Sequence, residues 1–436
     1  MSPSFKHLLK AEKPLAYFYE LLNFKSSISK RLFLETEMMT DTDEICTALN
    51  EVEAVFSILE QTAVFLKITS KMQQINPIQT TLIQLQDNIT LSDIECFEIK
   101  HFAFIAQALK EILESLNFTL LILPDLKPVI SILDPEKTGT PTFWIYNAYH
   151  KDLEALRSAN ADVEIAHIEK EVLQDLTSKL LVYAAQIDEA YLKIAKLDIL
   201  LAKAELAQTL KLSKPEITNV INFKGLFNPQ IKEILREHHK TYQPVDFELT
   251  EAPTLITGAN MSGKTLLLKN LMLAQYLLQF GFYVPAAQAQ MRLFKSVFVQ
   301  IGESVDELNG LSSFGNEILK LNDLILNIKS GEKPLVLIDE PARTTNPKEG
   351  EAIVNALAEF LNRLKITAVI TTHYAVRNEN LRKYRVKGFT EYPHIDYSII
   401  EDCDAEPPQD ALKIAELLGV DKEFLKTVIG IIHTYD

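Results

Sequence analysis

The first half of the chain is dominated by apolar residues at helical spacing. In the segments DEICTALNEVEAVFSILEQTAVFLKI and CFEIKHFAFIAQALKEILESL, the apolar positions recur as they do on one face of an α-helix. Up to about Asn222 the chain contains a single glycine, Gly139. We therefore predict an all-helical region before Asn222.

A turn-rich segment, LPDLKPVISILDPEKTGTPTFW, interrupts this helical region. The stretch that follows, from about Ala148 to Leu212, contains neither proline nor glycine and predicts one or two long helices. Such length is compatible with a coiled-coil-like arm or lever, and equally with an ordinary helical bundle. The pattern alone leaves both alternatives open.

After Asn222 the pattern changes from long helices to alternating short elements. Glycines appear, and the apolar runs PTLITG, PLVLID and TAVITT alternate with helical segments. This alternation is typical of an α/β domain with a mainly parallel sheet. The segment PPQDALKIAELLGVDKEFLKTVIGIIH predicts a short helical tail.

These changes divide the chain into four predicted parts. At 436 residues the chain is longer than one typical domain. We expect a helical core at 1–122, long lever helices at 123–222, an α/β domain at 223–400 and a helical tail at 401–436. The predicted fold class is thus all-helical in the first half and α/β in the second.

Composition limits the classes of partner. Lys and Arg total 44 against 59 Asp and Glu, which gives a formal net charge of −15. This acidity disfavours generic nucleic-acid binding, which depends on clustered basic residues, although a local basic groove remains compatible with it. Neither a signal-peptide core nor an apolar run long enough for a bilayer is present, so we expect a cytoplasmic protein without a membrane partner. The three cysteines, Cys46, Cys96 and Cys403, follow no metal-ligand spacing.

A phosphate-binding loop follows the first apolar strand of the second half. The sequence GANMSGKT fits the pattern G-x-x-x-x-G-K-[ST] in full and precedes a helix-like segment. Backbone N–H groups of such a loop and the positive end of the next helix bind phosphate oxygens. We expect Lys264 to reach the β- and γ-phosphates of ATP and the Thr265 hydroxyl to bind Mg²⁺. The nucleotide-binding residues of this loop are Gly258, Ala259, Asn260, Met261, Ser262, Gly263, Lys264 and Thr265.

Two further strands end in candidate catalytic residues. The run PLVLIDEPA ends in Asp339 and Glu340, which we expect at the carboxyl edge of the sheet beside the phosphate loop. Asp339 is expected to hold Mg²⁺ and Glu340 to polarise the attacking water. The run TAVITTHY ends in His373, which we expect to sense the γ-phosphate or orient the water. A fourth element, LNGLSSFGNEI, is by itself only a helix N-cap around Ser312.

Together and in this order, these elements resemble the ATPase domain of the MutS family, a branch of the ABC ATPases. TGANMSGKT, GFYVPA, LSSFGNEI, LVLIDEPARTTNPKEG and TTHY are similar to successive segments of that domain. More weakly, FKGLFNPQI resembles the entry to the domain, with Asn228 where the family usually has His. DIECFEIKHF and ILDPEKTGTPTFWIYNAYHKDLEALR look closest to the core of the second MutS subfamily.

The resemblance implies a P-loop ATPase that binds ATP and Mg²⁺ and works as a dimer, with itself or with a related subunit. In the family arrangement Ser312 of one subunit contacts the γ-phosphate bound by the other, and Asn260 contacts the same phosphate. Tyr242 falls where the family places an aromatic ring that stacks on adenine. The helical tail would take part in dimerisation, and ATP turnover would move the helical levers.

The sequence also departs from the family pattern. We expect the mismatch-recognition and clamp domains to be missing, and Ala342 and Thr344 replace the usual glycines after Glu340. Two roles therefore remain open. The first is a MutS-like ATPase acting on DNA in repair or recombination. The second is an ATP-dependent factor that remodels or reactivates a protein client, such as an adenosylcobalamin-dependent aminomutase. The intact set of site residues disfavours a third role, a scaffold with a dead site.

Overall fold

The first half of the chain is helical in a computed structural model that describes residues 3–258, 263–302, 313–376, 381–391, 394–402 and 411–432. This confirms the helical prediction from apolar spacing, except at its end: the helices stop at Leu210, and the first strand already begins at Glu216, before the predicted boundary at Asn222. The helices of this half are α1 Phe5–Ala11, α2 Lys13–Glu20, α3 Ser27–Glu35, α4 Thr42–Leu59, α5 Thr62–Met72, α6 Gln79–Gln86, α7 Asp93–Ser115, α8 Lys127–Leu133, α9 Leu153–Ala159, α10 Asp162–Leu181 and α11 Ala184–Leu210.

The second half alternates strands and helices. Its elements are β1 Glu216–Ile217, β2 Ile221–Leu226, α12 Pro229–Glu237, β3 Val245–Leu249, β4 Pro253–Thr257, α13 Lys264–Gln279, β5 Gln288–Met291, β6 Val297–Gln300, α14 Ser313–Lys329, β7 Leu335–Asp339, α15 Pro347–Arg363, β8 Ala368–Thr371, β9 Arg382–Glu391, β10 His394–Glu401, α16 Ala411–Leu417 and α17 Lys422–Ile432. In the described residues, no helix is long and apolar enough to cross a membrane.

The long stretch after the turn-rich segment forms two long helices, α10 and α11. Helix α11 has 27 residues and is buried along most of its length, with α3, α4, α6 and α7 packed around it. The sequence left open a projecting arm or an ordinary helical bundle. The structure shows that α11 is the central helix of a bundle and not a projecting arm. Helix α10 lies at the margin, and its first half is largely exposed.

A six-stranded sheet forms the centre of the second half, with strand order β10-β9-β4-β8-β7-β6. All neighbours in it are parallel except the β9–β10 hairpin. The three runs PTLITG, PLVLID and TAVITT form β4, β7 and β8, so the predicted strands and the mainly parallel sheet are confirmed. Every residue of β4 and β8 is buried, as continuous apolar runs require.

A second sheet, with strand order β1-β5-β2-β3, was not predicted from the sequence. Its strands β1 and β5 have two and four residues, too short for a periodic signal. This sheet and α12 lie beside α13. The connection between α12 and β3 carries Tyr242, so the second sheet positions one of the predicted nucleotide-binding residues.

One hydrophobic core joins the two halves. The Phe5 ring of α1 packs against the Phe33 ring of α3 at 4.5 Å between centroids and against the Phe280 ring, at the end of α13, at 5.0 Å. The backbone of Met39 is bonded to Gln279 in both directions: Met39 N donates to Gln279 O, and Gln279 Nε2 donates to Met39 O, each at 2.9 Å. The helix that follows the phosphate loop is therefore packed directly against the helical half.

Candidate nucleotide-binding site

The carboxyl ends of three neighbouring parallel strands meet at one edge of the six-stranded sheet. In the sheet register Thr371 pairs with Ile256 of β4 on one side and with Asp339 of β7 on the other. Gly258 lies directly after β4, and α13 begins at Lys264. The fold thus brings the phosphate loop and the Asp339–Glu340 pair to the same edge, which is where open α/β sheets bind ligands.

Lys264 lies in the middle of this edge. Its Nζ donates to the carbonyl oxygen of Gly258 at 2.6 Å and lies 3.5 Å from Oε1 of Glu340. Only 4% of the Lys264 side chain is exposed. Burial lowers the pKa of this amine, while the carboxylates of Glu340 and Asp339 act in the opposite direction. Phosphate oxygens would reinforce that opposite effect and favour the charged amine.

Both carboxylate oxygens of Asp339 accept hydrogen bonds from threonine hydroxyls. Thr265 Oγ1 donates to Oδ2 at 2.8 Å, and Thr371 Oγ1 donates to Oδ1 at 2.6 Å. In the described residues no cluster of three His, Cys, Asp or Glu side chains forms a protein-only metal cage. A single carboxylate beside a hydroxyl nevertheless fits Mg²⁺, which is usually held by one or two carboxylates, water and substrate phosphates.

Glu340 has an unusual backbone conformation for a non-glycine residue, with φ of +45°. Its N–H donates to the carbonyl oxygen of Thr371 at 3.1 Å and to Thr371 Oγ1 at 3.0 Å. Its carboxylate lies between Lys264 and Arg343, whose Nη1 is 3.6 Å from Oε2. The left-handed conformation turns the chain away from β7 immediately after Asp339, so that the two adjacent carboxylates have different partners.

His373 follows β8 and has an exposed side chain beside the same edge. Its ring packs on the ring of Tyr374 with centroids 4.2 Å apart. Burial of part of the ring lowers the pKa of His373, Glu340 raises it, and Lys264 and Arg343 lower it. The net effect is a lowered pKa for His373, which favours the neutral imidazole.

A second cavity, of about 420 Å³, opens on the other side of α13. Tyr242, Tyr397 and Gly263 are among the residues that line it. The Tyr242 hydroxyl accepts hydrogen bonds from Asn228 N at 3.0 Å and from Asn270 Nδ2 at 3.3 Å, which fixes the ring at the wall. A cavity with two aromatic side chains next to the phosphate loop suits a flat base.

Gly263 is the position where this cavity and the phosphate loop adjoin. It has φ of +93°, and a Cβ added there would lie 3.3 Å from Cδ1 of Tyr397. A side chain at this position would therefore be strained and would crowd the wall of the cavity. The glycine required by the motif is thus explained by both the backbone angle and the close approach of Tyr397.

A groove of about 1080 Å³ extends from the sheet edge toward the helical half. One end contains Lys264, Thr265 and the Asp339–Glu340 pair, and the other is lined by residues 11–14, at the junction of α1 and α2. The N-terminal helices therefore contribute to the wall of the candidate site.

Five of the sequence-predicted residues lie outside the described residues. They are Ala259, Asn260, Met261 and Ser262 of the phosphate loop, and Ser312 before α14. The described members of the predicted set are distributed between the sheet edge and the second cavity. Gly258, Gly263, Lys264, Thr265, Asp339, Glu340 and His373 lie at or beside the edge, and Tyr242 lines the cavity.

Sequence reasoning missed several residues that the structure places beside this set, and three of them bear directly on the site. Thr371 holds both Asp339 and the Glu340 backbone, Tyr397 lines the same cavity as Tyr242, and Asn270 bonds to the Tyr242 hydroxyl. Thr371 could have been found from the sequence, because it is the last residue of the apolar run TAVIT and lies two positions before the predicted His373. No sequence pattern marks Tyr397 or Asn270. Tyr397 is brought to the cavity by the β9–β10 hairpin, and Asn270 by the second turn of α13.

Comparison with known families identifies the α/β region. Residues 254–390 match the family model for MutS domain V. This match covers β4, α13, the Asp339–Glu340 pair and His373, which are the elements that suggest the resemblance. The chain therefore contains a domain of the MutS family, and the predicted resemblance is confirmed.

Individual relatives carry two kinds of name. The chain is 29% identical over 278 residues to the "Endonuclease MutS2" of Carboxydothermus hydrogenoformans, an alignment that covers 61% of this chain and 34% of that protein. It is 28% identical over 287 residues to the "DNA mismatch repair protein MutS" of Shouchella clausii, covering 63% of this chain and 32% of that protein. It is also 31% identical over 207 residues to the "DNA mismatch repair protein MutS" of Thermus aquaticus, covering 47% of this chain and 24% of that protein. The chain thus spans about a third or less of the length of the curated relatives it matches.

Proposed function

We propose that this chain is a MutS-type ATPase that acts as a dimeric switch, either with a second copy of itself or with a related subunit. The observation that supports it best is the arrangement at the sheet edge. Lys264 lies between the Gly258 carbonyl and the Glu340 carboxylate, and Thr265 is hydrogen-bonded to Asp339. A buried amine, a hydroxyl–carboxylate pair and a second carboxylate are the groups that ATP hydrolysis needs.

In this proposal each residue has a separate task. The α13 N-terminus and Lys264 bind the triphosphate, Thr265 and Asp339 hold Mg²⁺, and Tyr242 stacks on the adenine. When bound, Mg²⁺ neutralises charge on the β- and γ-phosphates. Glu340 orients the attacking water and accepts its proton, and His373 lies where it can contact the γ-phosphate side.

Nucleotide-dependent movement would reach the helical half through α13. This helix starts at Lys264 and ends at Gln279, whose backbone and side chain are bonded to Met39. Sixteen residues make α13 about 24 Å long. A tilt of its N-terminus on phosphate binding would therefore displace the packed helices at its other end. Through α13 and its bonds to Met39, ATP binding would thus drive lever-like movement of the helical first half.

We further propose that the switch serves DNA repair or recombination, as the names of its relatives suggest. Filter binding to duplex, mismatched and junction DNA at physiological salt, with and without ATP, tests this role. Because non-specific binding alone has dissociation constants of about 10⁻⁴–10⁻⁶ M, that range sets the threshold. No binding to any of these DNAs would contradict the DNA role and leave the alternative of a protein client, such as an adenosylcobalamin-dependent aminomutase, to be tested by direct binding.

The ATPase itself is tested by Glu340→Gln. We expect this variant to bind ATP as the wild type does and to lose turnover, because the amide cannot accept the proton of the attacking water. Steady-state phosphate release and equilibrium binding of a fluorescent ATP analogue separate the two effects. Hydrolysis at the wild-type rate would show that Glu340 is not the base. Lys264→Met is the companion variant, for which we expect loss of binding.

A further inference from the structure

Ala342, two residues after Glu340, is held at both ends of its backbone by side chains from two other elements. Its N–H donates to Oε1 of Glu317 at 2.8 Å, and its carbonyl oxygen accepts from the Tyr374 hydroxyl at 3.0 Å. Glu317 belongs to α14, and Tyr374 lies directly after His373. One residue of the loop after Asp339 thus connects the helix that follows Ser312 to the strand end that carries the histidine.

This residue is held in a conformation that alanine rarely adopts. Ala342 is fully buried and has φ of +60°, and Glu340, two residues earlier, has φ of +45°. Left-handed backbone costs a non-glycine residue about 1–2 kcal/mol, so the conformation persists only where surrounding contacts fix it. The Glu317 carboxylate and the Tyr374 hydroxyl are the side-chain contacts that fix it here, and Thr345 N also donates to the Ala342 carbonyl oxygen at 3.4 Å.

Both holding groups are themselves constrained. Glu317 Oε1 also accepts from Nε2 of Gln300, the last residue of β6, at 3.0 Å. Tyr374 is 8% exposed, and burial together with Glu317 and Glu340 raises the pKa of its phenol, which keeps the donating proton on it. Gly350, on α15, leaves room for the ring, since a Cβ there would lie 2.3 Å from the Tyr374 hydroxyl.

We propose that Glu317 and Tyr374 are positioning residues for hydrolysis. By holding the Ala342 peptide, they keep the short loop from Glu340 to Arg343 in the conformation that places the Glu340 carboxylate 3.5 Å from Lys264. A shift of α14 would be transmitted through Glu317 to the catalytic carboxylate without any change in the phosphate loop. This inference rests on the proposed ATPase function, and it assigns to α14 control of the chemical step and not of nucleotide affinity.

The first test compares Glu317→Ala with Glu317→Gln in the full chain. We expect Glu317→Ala to lower kcat by about 10- to 100-fold, because a small misplacement of a catalytic group costs rates of that order. The dissociation constant for a fluorescent ATP analogue should stay within about twofold of the wild-type value, because the affinity contacts lie elsewhere. Glu317→Gln keeps an acceptor oxygen for the Ala342 N–H and should recover most of the rate. Asp323→Ala, an exposed acid on the same helix, is the matched control and should hydrolyse ATP normally.

The second test approaches the same peptide from its carbonyl side. Tyr374→Phe removes only the hydroxyl, and Gly350→Ala places a methyl group where that hydroxyl lies. Both should lower kcat, because both disturb the Ala342 peptide. Neither should weaken ATP binding, because neither changes a group proposed to contact the nucleotide. Glu317→Ala and Tyr374→Phe together should cost less than the product of their separate effects, because both act through one peptide.

The outcomes distinguish this inference from the function it rests on. If Glu340→Gln abolishes turnover while Glu317→Ala hydrolyses at the wild-type rate, the positioning role is wrong and the ATPase assignment stands. If Glu317→Ala loses ATP affinity and kcat in parallel with a lowered free energy of unfolding, its role is structural and the inference is also wrong. If Glu340→Gln itself retains full turnover, the proposed chemistry fails irrespective of Glu317.

Discussion

The Nζ atom of Lys203 lies 2.6 Å from the carbonyl oxygen of Phe280, the residue that caps the C-terminal end of α13. Lys203 belongs to α11, is 8% exposed and also lies 4.6 Å from the centre of the Phe282 ring. A donor side chain at the C-terminal end of a helix satisfies carbonyl groups that have no partner within the helix, and an uncharged amine can do this as well as a charged one. The central helix of the bundle is thereby bonded to the far end of the helix that begins at the phosphate loop.

The burial of the Lys203 amine leads us to predict that the free energy of unfolding depends on pH. Burial lowers the pKa of Lys203 to about 7, with Glu51 raising it and Lys196 lowering it. The unfolded chain keeps the ordinary pKa near 10.5 and so binds more protons than the folded protein between these values. Stability therefore rises with pH in this window. We expect the wild type to gain about 2 kcal/mol between pH 7 and pH 9 relative to Lys203→Met.

Urea unfolding at several pH values measures this difference. Lys179→Met, at an exposed position on α10, is the control and should show the wild-type pH profile. Parallel profiles for the wild type and Lys203→Met would contradict the assignment of the titration to Lys203.

The second cavity predicts how the base is recognised. Tyr242→Ala should weaken ATP binding by about 1–3 kcal/mol, the value of stacking a base on an aromatic ring, and Tyr397→Ala should act in the same direction. Neither change should affect the binding of inorganic tripolyphosphate, which has no base, and competition against a fluorescent ATP analogue measures both ligands. Tyr242→Phe keeps the ring and loses the bonds to Asn228 and Asn270, so it should have the smaller effect. Equal losses for ATP and tripolyphosphate would place the base elsewhere.

Thr371 predicts an effect on the metal requirement. Its hydroxyl holds Oδ1 of Asp339 at 2.6 Å, so Thr371→Val removes one of the two hydroxyl donors to that carboxylate and leaves the Thr265 bond to Oδ2 to orient it. We expect the Mg²⁺ concentration for half-maximal hydrolysis to rise, while metal-free ATP binding is unchanged. Thr254→Val is a matched control, because Thr254 is on the adjacent strand β4 and its buried Oγ1 has no hydrogen-bond partner in the described residues. An unchanged Mg²⁺ requirement for Thr371→Val would show that the hydroxyl does not orient Asp339.

A buried ion pair predicts a large effect on stability in the helical half. Lys100 Nζ donates to Asp134 Oδ1 at 3.2 Å, to Thr142 O at 2.8 Å and to the Tyr146 hydroxyl at 2.7 Å. Although burial acts to raise it, hydrogen bonds from Thr138, Gly139 and Lys100 lower the pKa of Asp134 to about 2. Lys100→Met leaves this carboxylate buried and without its cation, which should cost about 3–5 kcal/mol.

The single tryptophan of the chain, Trp144, gives a direct measurement of this cluster. Its ring lies 4.5 Å from the Tyr146 ring, so its fluorescence follows unfolding of the segment. Lys179→Met removes an exposed pair with Asp175 and should cost at most about 0.5 kcal/mol. A similar small loss for Lys100→Met would show that the buried pair contributes little.

Site residues were predictable where a short continuous stretch of sequence contains the whole pattern that identifies them. Lys264 and Thr265 were predictable because eight consecutive residues contain the whole phosphate-loop pattern. Asp339 and His373 were predictable because each follows a buried apolar run, and parallel strands end at a common edge. The second sheet was not predictable, because strands of two and four residues carry no periodic signal.

The sequence by itself determined the phosphate-loop pattern, the positions along the chain of the three strands that carry the site residues, and the helical character of the first half. Periodicity and local motifs are properties of neighbouring residues, and neighbours are what a sequence records. Only the tertiary structure decided that α11 is a buried central helix, that Tyr397 and Tyr242 line one cavity, and that Glu317 and Tyr374 meet at Ala342. These are contacts between residues dozens of positions apart. Packing and burial select such contacts, and no local pattern encodes them.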